Sequence, residues 1–472
     1  MTAFQFVRYI QFRSSYPYGS YIAGVPVGGL GPAQAAERVS QAYAVPVEIH
    51  YAGGVIQASP DTLGFEINLE STMAEAGLDG IYHTWWKGFW DFLWNRTPGP
   101  QGFSLHFKIA TEKVRAYLNS EIAPRYDLFP MAAIPVPGTT NFLPGHSGAI
   151  LNVDQAVLLI EFALQSPGYR VVNLSYQEVR APATSPRNLQ VLLKQIIDVS
   201  RFDGVTELYF KDLQSGQEIH FAYRMRRDVP VDIAFTAAST IKIPIMITIF
   251  RREPDPLPPS VAALLTNMID VSENLAADEL MATVLDKNLG PLDVTQDVQS
   301  LGIKNTFLAG YFYPGAPLLK RFSTPGNQRT DLKTGPDPYN QTNPADLGML
   351  LNDIYECANL NGGALEAVFP GQFSPSKCKQ MLDLLLHNKL PTLVTAGLPE
   401  GTPIAHKHGW IVESDGFLHT IGDAAIVYTP HGNFILSIFM HQPVQLIFDP
   451  ANNLIADLTR AIYNYFNETG PS

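Results

Sequence analysis

The sequence predicts an α+β protein whose C-terminal half forms one antiparallel sheet. Strand-like segments lie at both ends of that half, at residues 204–211 and 218–224 and again at 404–412, 421–428 and 434–440. Helical patterns fill most of the stretch between them, so distant parts of the chain must close the sheet. The N-terminal part predicts a smaller α+β module that is used twice.

Chain length and charge limit the other possibilities. With 472 residues the chain is too long for one ordinary core, and 46% apolar against 16% charged residues is typical of well-packed domains. The net charge of −12 offers no basic surface for a phosphate backbone, so we expect no nucleic-acid partner. No run reaches the roughly 18 apolar residues that span a bilayer, so we expect no transmembrane segment.

The sequence patterns divide the chain into three segments. Residues 1–21 contain arginines and aromatic residues but no apolar stretch before a cleavage site, and we interpret them as a stub or tether of the kind left when a signal or anchor is removed. The Ser185-Pro186 step marks the next boundary. We therefore predict one domain at 22–185 and another at 186–472.

A repeat organises the first domain. The segment from Pro60 to Glu70 matches the segment from Pro144 to Asp154, 84 residues later, in a proline, a glycine, two aliphatic residues, an asparagine and a final acid. Each copy runs into a helix-like stretch, and the acid suits a helix N-terminus. The pattern is typical of one supersecondary unit used twice.

The segment before the first copy adds a family resemblance. Ile22 to Leu30 reads IAGVPVGGL and precedes a helical pattern from about Pro32 to Tyr43. In these loose motifs residues 22–180 resemble the peptidoglycan-binding module of extracytoplasmic bacterial proteins related to vancomycin-resistance accessory proteins. The resemblance implies a wall-binding role and no individual ligand residues.

Four of the five tryptophans lie between Tyr82 and Trp94. Trp86, Trp90 and Trp94 have the four-residue spacing of a helical stripe. Such a stripe is typical of a sugar-stacking or membrane-surface face, or of a helix buried between the two repeats. Because apolar stripes are usually core, we predict the buried helix.

The two cysteines, Cys357 and Cys378, form no CxxC pair or Cys/His cluster, so we expect no metal site and no cofactor. They lie at the facing ends of consecutive predicted helices. One disulfide, which implies an oxidising compartment, and two buried free thiols both remain open; the placement favours the disulfide.

Ser239 and Lys242 form a Ser-x-x-Lys motif at the start of a predicted helix, where a spacing of three puts both side chains on one face. A lysine in apolar surroundings can lose its charge and accept the proton of the serine nucleophile. The free N–H groups at a helix start can stabilise an oxyanion. A single motif of this kind is weak evidence.

A second motif, Ser272-x-Asn274, follows 33 residues after Ser239. A second serine can relay a proton to the leaving group, and an asparagine amide can hold the carbonyl of a substrate. Taken separately, the two side chains are equally typical of a loop.

The third motif lies on the predicted strand 404–412. Lys407 can stabilise anionic charge in the site, and Gly409 lets a substrate backbone approach the strand edge. The N–H of Trp410 can join that of Ser239 in an oxyanion hole. Taken separately, Lys407 is typical of a surface lysine.

In this order the three motifs resemble those of the class A β-lactamases and low-molecular-weight penicillin-binding proteins, over residues 189–468. The resemblance implies a DD-peptidase/β-lactamase-like domain with helices on both sides of the sheet and a helical subdomain that is reduced here. It also implies roles for the motif residues: the acylated nucleophile Ser239, the proton acceptor Lys242, the proton relay Ser272, the substrate binder Asn274, the electrostatic partner Lys407, and the oxyanion-hole N–H groups of Ser239 and Trp410.

The sequence Lys333-Thr334-Gly335 matches the third motif of that family letter for letter but stands in a Pro/Gly-rich stretch. No strand can continue through Pro336 and Pro338, so we assign the third motif to Lys407.

The chain also departs from the family in three places. No glutamate occurs between Glu279 and Glu356, where class A β-lactamases keep their deacylating base, and Asp331 or Asp337 are the available substitutes. His408 replaces a hydroxyl residue that helps to bind the substrate, and either selects another group or only supports the strand. The stretch between the first two motifs is short.

These observations predict an extracytoplasmic serine hydrolase, secreted or anchored to the cell envelope, that acts on a small amide, ester or peptide. A cell-wall peptide is one candidate substrate, and peptidoglycan is a candidate partner. The alternatives are a true β-lactamase and, from another class, a catalytically degenerate peptidoglycan-binding protein.

Overall fold

The computed structural model describes residues 2–82, 84–182, 184–360, 362–388 and 390–467. Within these residues the α-helices are α1 (Thr2–Arg13), α2 (Pro32–Ala44), α3 (Leu69–Glu75), α4 (Leu78–Ile81), α5 (Trp85–Leu93), α6 (Thr111–Tyr117), α7 (Ala123–Tyr126), α8 (Val153–Gln165), α9 (Pro186–Ser200), α10 (Lys242–Arg252), α11 (Pro259–Asp270), α12 (Asn274–Leu280), α13 (Gly290–Ser300), α14 (Pro344–Leu360), α15 (Ala364–Val368), α16 (Pro375–Leu386) and α17 (Phe448–Asn467). No helix in these ranges is both long enough and apolar enough to cross a lipid bilayer.

The strands of the same residues are mostly short in the N-terminal part and long in the C-terminal part. They are β1 (Tyr21–Ile22), β2 (Val25–Pro26), β3 (Val47–Tyr51), β4 (Gly54–Ala58), β5 (Phe65–Ile67), β6 (Gly102–Phe103), β7 (Phe107–Ile109), β8 (Ile134–Pro135), β9 (Phe142–Leu143), β10 (Gly148–Leu151), β11 (Val171–Asn173), β12 (Tyr176–Val179), β13 (Val205–Asp212), β14 (Glu218–Arg224), β15 (Arg227–Val229), β16 (Phe235–Thr236), β17 (Phe307–Leu308), β18 (Asn340–Thr342), β19 (Ile404–Val412), β20 (Leu418–Val427) and β21 (Phe434–His441).

The chain divides into two compact units. The first comprises residues 1–131 and 146–181, and the second comprises residues 132–145 and 182–472. The hairpin of β8 and β9 therefore packs with the second unit, although the sequence analysis assigned it to the domain at 22–185.

The repeated segment has the same local structure in both copies within the first unit. Asn68 caps α3 by accepting the N–H of Ser71, and Asn152 caps α8 by accepting the N–H of Gln155. The repeated acid lies in the first helical turn each time, where it interacts favourably with the helix dipole. The repeat therefore encodes a strand, a capped turn and a helix.

The tryptophan helix differs from the prediction of a buried element. Trp85 packs against the rings of Phe6 and Tyr9 from α1, with centroid distances of 4.6 and 5.4 Å. Trp86, Trp90 and Trp94, in contrast, are 68%, 58% and 72% exposed. The spacing correctly placed these three on one stripe, but the stripe faces outward, so the interpretation as buried core was wrong.

The second unit is built on a six-stranded antiparallel sheet in the order β15-β14-β13-β21-β20-β19. Strand β13 pairs with β21, which places Val205 opposite His441, so the start and end of the unit close the sheet as predicted. Buried apolar clusters cover both faces: α10 and α14 contribute to one, and α9 and α17 to the other. This is the predicted sheet with helices on both sides.

Cys357 in α14 and Cys378 in α16 form a disulfide, with a Cα–Cα distance of 5.9 Å. The expected pairing is confirmed, and the alternative of two free thiols does not apply.

Candidate active site

Ser239 is held at the start of a helix whose body is anchored in the core. Strand β16 leads into a one-turn 3-10 helix, Ala238–Ile241, which continues as α10. Ile243, Ile245 and Met246 on α10 are fully buried. Ala238, just before the serine, has φ +47°, a left-handed conformation that costs energy for a residue other than glycine and that is concentrated at functional sites.

The amine of Lys242 connects the first two motifs. Its Nζ lies 3.1 Å from the Oγ of Ser239, 3.2 Å from the Oγ of Ser272 and 2.8 Å from the Oδ1 of Asn274. It also donates to the backbone oxygen of Ser272 at 2.6 Å. Lys242 has no exposed surface, so these groups replace water around the amine.

Ser272 lies between two amines. Its Oγ is 3.0 Å from the Nζ of Lys407, which is also fully buried, and 3.2 Å from the Nζ of Lys242. Like Ala238, Ser272 has a left-handed backbone, with φ +59°. A hydroxyl in this position can accept a proton from one amine while it donates its own to a third group.

The two buried amines have shifted pKa values. Burial, followed by the charge of Lys407, lowers the pKa of Lys242 to about 7, while Asp278 and Glu273 oppose the shift. Burial lowers the pKa of Lys407 to about 8. A substantial fraction of Lys242 is therefore neutral near pH 7, which is the form that can accept a proton.

Gly409 allows the edge strand β19 to lie against the loop that carries Ser239. A Cβ at this position would be 2.6 Å from the backbone oxygen of Ala237 and 3.0 Å from the backbone nitrogen of Ser239. Such distances to backbone atoms leave no room for a side chain. The glycine is therefore required by close packing inside the site.

Trp410 and His408 have different positions relative to the site. The ring of Trp410 packs on Phe448 with a centroid distance of 5.1 Å, and Trp410 also lines the cavity beside Ser239. His408 packs against Trp410, its Nδ1 lies 3.3 Å from the Nδ2 of Asn388, and it is not among the described residues that line the cavity. These contacts favour the second of the two alternatives for His408, in which it supports the strand.

Comparisons with known proteins find similarity in the second unit. Residues 248–466, a little under half of the chain, match the family model described as the β-lactamase enzyme family. The second unit contains a domain of the β-lactamase enzyme family. That domain is a serine hydrolase domain, although the matched residues begin nine positions after Ser239.

Solved structures similar to this chain include PBP-A, at 24% identity and a TM-score of 0.42, with 61% of this chain and 98% of PBP-A covered. Another is an ancestral class A β-lactamase, at 22% identity and a TM-score of 0.40, with 58% of this chain and all of that chain covered. Comparison with curated proteins gives no match.

The β-lactamase-family domain has a cavity of about 470 Å³ beside Ser239. The sequence analysis missed four of the aromatic residues that line it, Tyr311, Phe312, Tyr313 and Tyr339. The ring of Phe312 lies 5.6 Å from the Nζ of Lys242. The only available signal was the aromatic run at 311–313 directly after a glycine, and a run of that kind also suits a core.

The two aspartates considered as substitutes for the missing glutamate are in different places. Asp331 is half-exposed and pairs with Arg329, away from the described cavity lining. Asp337 lines the cavity, where it accepts the N–H of Tyr339 and an amide hydrogen of Asn340, and burial raises its pKa. Of the two, Asp337 is therefore the one that lines the cavity beside Ser239.

The sequence Lys333-Thr334-Gly335, which we excluded as the third motif, lies outside any strand. The hydroxyl of Thr334 donates a hydrogen bond to the backbone oxygen of Ala234. The exclusion of this sequence in favour of Lys407 is supported by the contact of Lys407 with Ser272.

Three other groups in this domain lie close enough to suggest a metal. Ligand atoms of Glu207, His220 and Asp232 are within 4.8 Å of one another. However, the carboxylate of Glu207 already accepts the N–H groups of Asp232 and Ile233 and lies 2.8 Å from a ring nitrogen of His220. These bonds hold the segment before β16 and use three of the about four acceptor positions of the Glu207 carboxylate, which gives this group a structural role without an ion.

Proposed function

We propose that this protein is an extracytoplasmic serine hydrolase that acylates Ser239 with an amide, ester or peptide substrate. The observation that carries the proposal is the single amine of Lys242 within 3.2 Å of the hydroxyls of both Ser239 and Ser272. A decayed site would not be expected to keep two buried amines around these hydroxyls, because burying an amine without a use is costly.

In the proposed acylation, the Oγ of Ser239 attacks the carbonyl carbon of the substrate while the neutral amine of Lys242 takes the proton of the Ser239 hydroxyl. The developing oxyanion accepts hydrogen bonds from the backbone N–H groups of Ser239 and Trp410. Ser272 gives its proton to the leaving amine or alkoxide and receives one from protonated Lys242 or Lys407. Cleavage of the substrate bond then leaves an ester on Ser239.

Hydrolysis of that ester needs an activated water. Loss of a general base typically costs roughly 10² to 10⁴ in rate, so we expect a long-lived acyl-enzyme in the absence of a glutamate. The position of Asp337 in the cavity favours a second candidate, a true β-lactamase in which Asp337 activates the water.

Intact-mass spectrometry after incubation with a penicillin or a fluorophosphonate tests the proposal. We expect a stoichiometric adduct on the wild-type chain and none on Ser239→Ala. Ser147→Ala, in the first unit, is the control and should be labelled normally. Equal labelling of Ser239→Ala would rule out this nucleophile.

The lifetime of the same adduct separates the two candidates. A penicillin adduct that persists for hours supports a slow acyl-enzyme, and repeated turnover of penicillin that is lost in Asp337→Asn supports the β-lactamase.

The location and wall-binding role are supported by other features. A disulfide such as Cys357–Cys378 persists in oxidising compartments. The resemblance of residues 22–180 to wall-binding modules suggests that the first unit holds the enzyme near peptidoglycan. Co-sedimentation of the full chain with purified sacculi tests this role.

A further inference from the structure

The first unit exposes a set of large apolar side chains on two packed helices. We call them the aromatic face; its members are Phe4, Phe6, Val7 and Ile10 from α1 and Trp86, Trp90, Leu93 and Trp94 from α5 and its C-cap, all 39–72% exposed. Phe6 contacts Trp85, and the ring of Trp85 contacts Trp86, so the exposed side chains of the two helices adjoin. Soluble proteins rarely expose such patches without a partner.

The two helices are fixed to each other from their inner sides. Tyr9 is 1% exposed, packs against Trp85, Phe89 and Phe92, and donates to the backbone oxygen of Trp85. Phe12 contacts Phe92 at a centroid distance of 5.2 Å. Because these rings fill the inner side, the aromatic face cannot turn inward without dismantling the helix pair.

Positive charges outnumber negative charges on the same two helices. Residues 2–13 and 85–96 carry four cations, Arg8, Arg13, Lys87 and Arg96, and one anion, Asp91. Arg8, Lys87 and Arg96 are exposed. A chain with a net charge of −12 therefore has a local excess of positive charge next to the aromatic face.

We propose that the aromatic face binds the surface of an anionic lipid bilayer, with α1 and α5 lying in the interface. Tryptophan rings suit the headgroup region, phenylalanine and aliphatic side chains suit the acyl boundary, and arginine and lysine pair with anionic headgroups. A sugar would leave the exposed aliphatic side chains of Val7, Ile10 and Leu93 without an apolar partner, whereas the acyl boundary of a bilayer provides one. This inference is independent of the chemistry at Ser239.

Vesicle co-sedimentation of the full chain tests the proposal. We expect binding to vesicles of phosphatidylglycerol with phosphatidylcholine, weaker binding to phosphatidylcholine alone, and a blue shift of tryptophan emission on binding. The combined substitutions Trp86→Ser, Trp90→Ser and Trp94→Ser should lower the partition coefficient at least about ten-fold, because they remove the inserted aromatic area. Lys87→Gln should lower it about five-fold on the anionic vesicles only.

The matched control is Leu158→Ser with Phe162→Ser on α8, which removes apolar side chains of similar exposure, 68% and 63%, beside acidic residues. The control should bind as the wild type does. The proposal is overturned if the wild type stays in the supernatant with both kinds of vesicle, or if the tryptophan variant binds as tightly as the control. Loss in that variant of a self-associated dimer or of sacculus binding, without vesicle binding by the wild type, would assign the face to a second copy or to glycan instead.

Discussion

At the scale of single residues, the candidate site depends on two buried amines with different tasks. Lys242 has to be neutral to accept a proton, and Lys407 has to be charged to stabilise an anion. Their pKa values of about 7 and about 8 allow both conditions to be met together only in a narrow pH range.

We therefore expect a bell-shaped pH dependence for the acylation rate. The rate should rise through pH of about 7 as Lys242 loses its proton and fall above about 8 as Lys407 loses its own. In Lys407→Ala the rising limb should move to higher pH, because a like charge that lowers the pKa of Lys242 is gone. Stopped-flow labelling across pH measures both limbs.

The control is Lys333→Ala, in the excluded sequence Lys333-Thr334-Gly335, which should keep the wild-type pH dependence of acylation. A rising limb in Lys407→Ala at the wild-type pH would contradict the proposed coupling of the two amines.

At the scale of elements, sequence patterns predicted which residues share a face better than what covers that face. The strand at 404–412 was predicted with the observed bounds, because the residues of this segment and of the two that follow alternate in the pattern of strands and a tight turn comes next. The outward side of α5 was missed, since a spacing of four residues is the same for a buried and an exposed stripe. For His408 the sequence left two roles open, because a single sequence does not show which side of an edge strand meets the cavity.

Gly409→Ala tests how closely β19 must approach the Ser239 loop. The new Cβ would meet backbone atoms at 2.6–3.0 Å, so the strand has to shift, and misplacement of this size typically lowers rates about 10²-fold. Gly362→Ala is the control, since a Cβ there meets nothing within 4 Å. Wild-type labelling kinetics in Gly409→Ala would show that the close approach does not matter for acylation.

At the scale of the whole molecule, the chain crosses between its two units more often than the sequence indicated. Composition and the Ser185-Pro186 step suggested one crossing, but residues 132–145 pack in the second unit. Phe142 joins a buried cluster with Leu189 and Tyr465, and Asn464 donates to the backbone oxygen of Thr140. Long-range packing of a short hairpin leaves no periodic signal, so the sequence could not predict it.

The hairpin should contribute to the stability of the second unit. Phe142 is 6% exposed, so Phe142→Ala should lower the free energy of unfolding by about 3 kcal/mol. Leu143, the next residue, is 58% exposed, and Leu143→Ala should change it by less than about 0.5 kcal/mol. Denaturant unfolding, monitored by the loss of probe labelling at Ser239, compares the two variants. Equal free energies of unfolding for Phe142→Ala and Leu143→Ala would show that the hairpin is not part of the core.

The buried amine of Lys242 also has a thermodynamic consequence for folding. Its ordinary pKa of 10.5 applies to the unfolded chain, whereas the folded value is about 7. Between these two values the unfolded state holds a proton that the folded state has released, so folding becomes more favourable as the solution becomes more alkaline. Below about 7 both states are protonated and the full cost of enclosing the cation remains, so the arrangement that prepares the serine for attack weakens the fold most in acid.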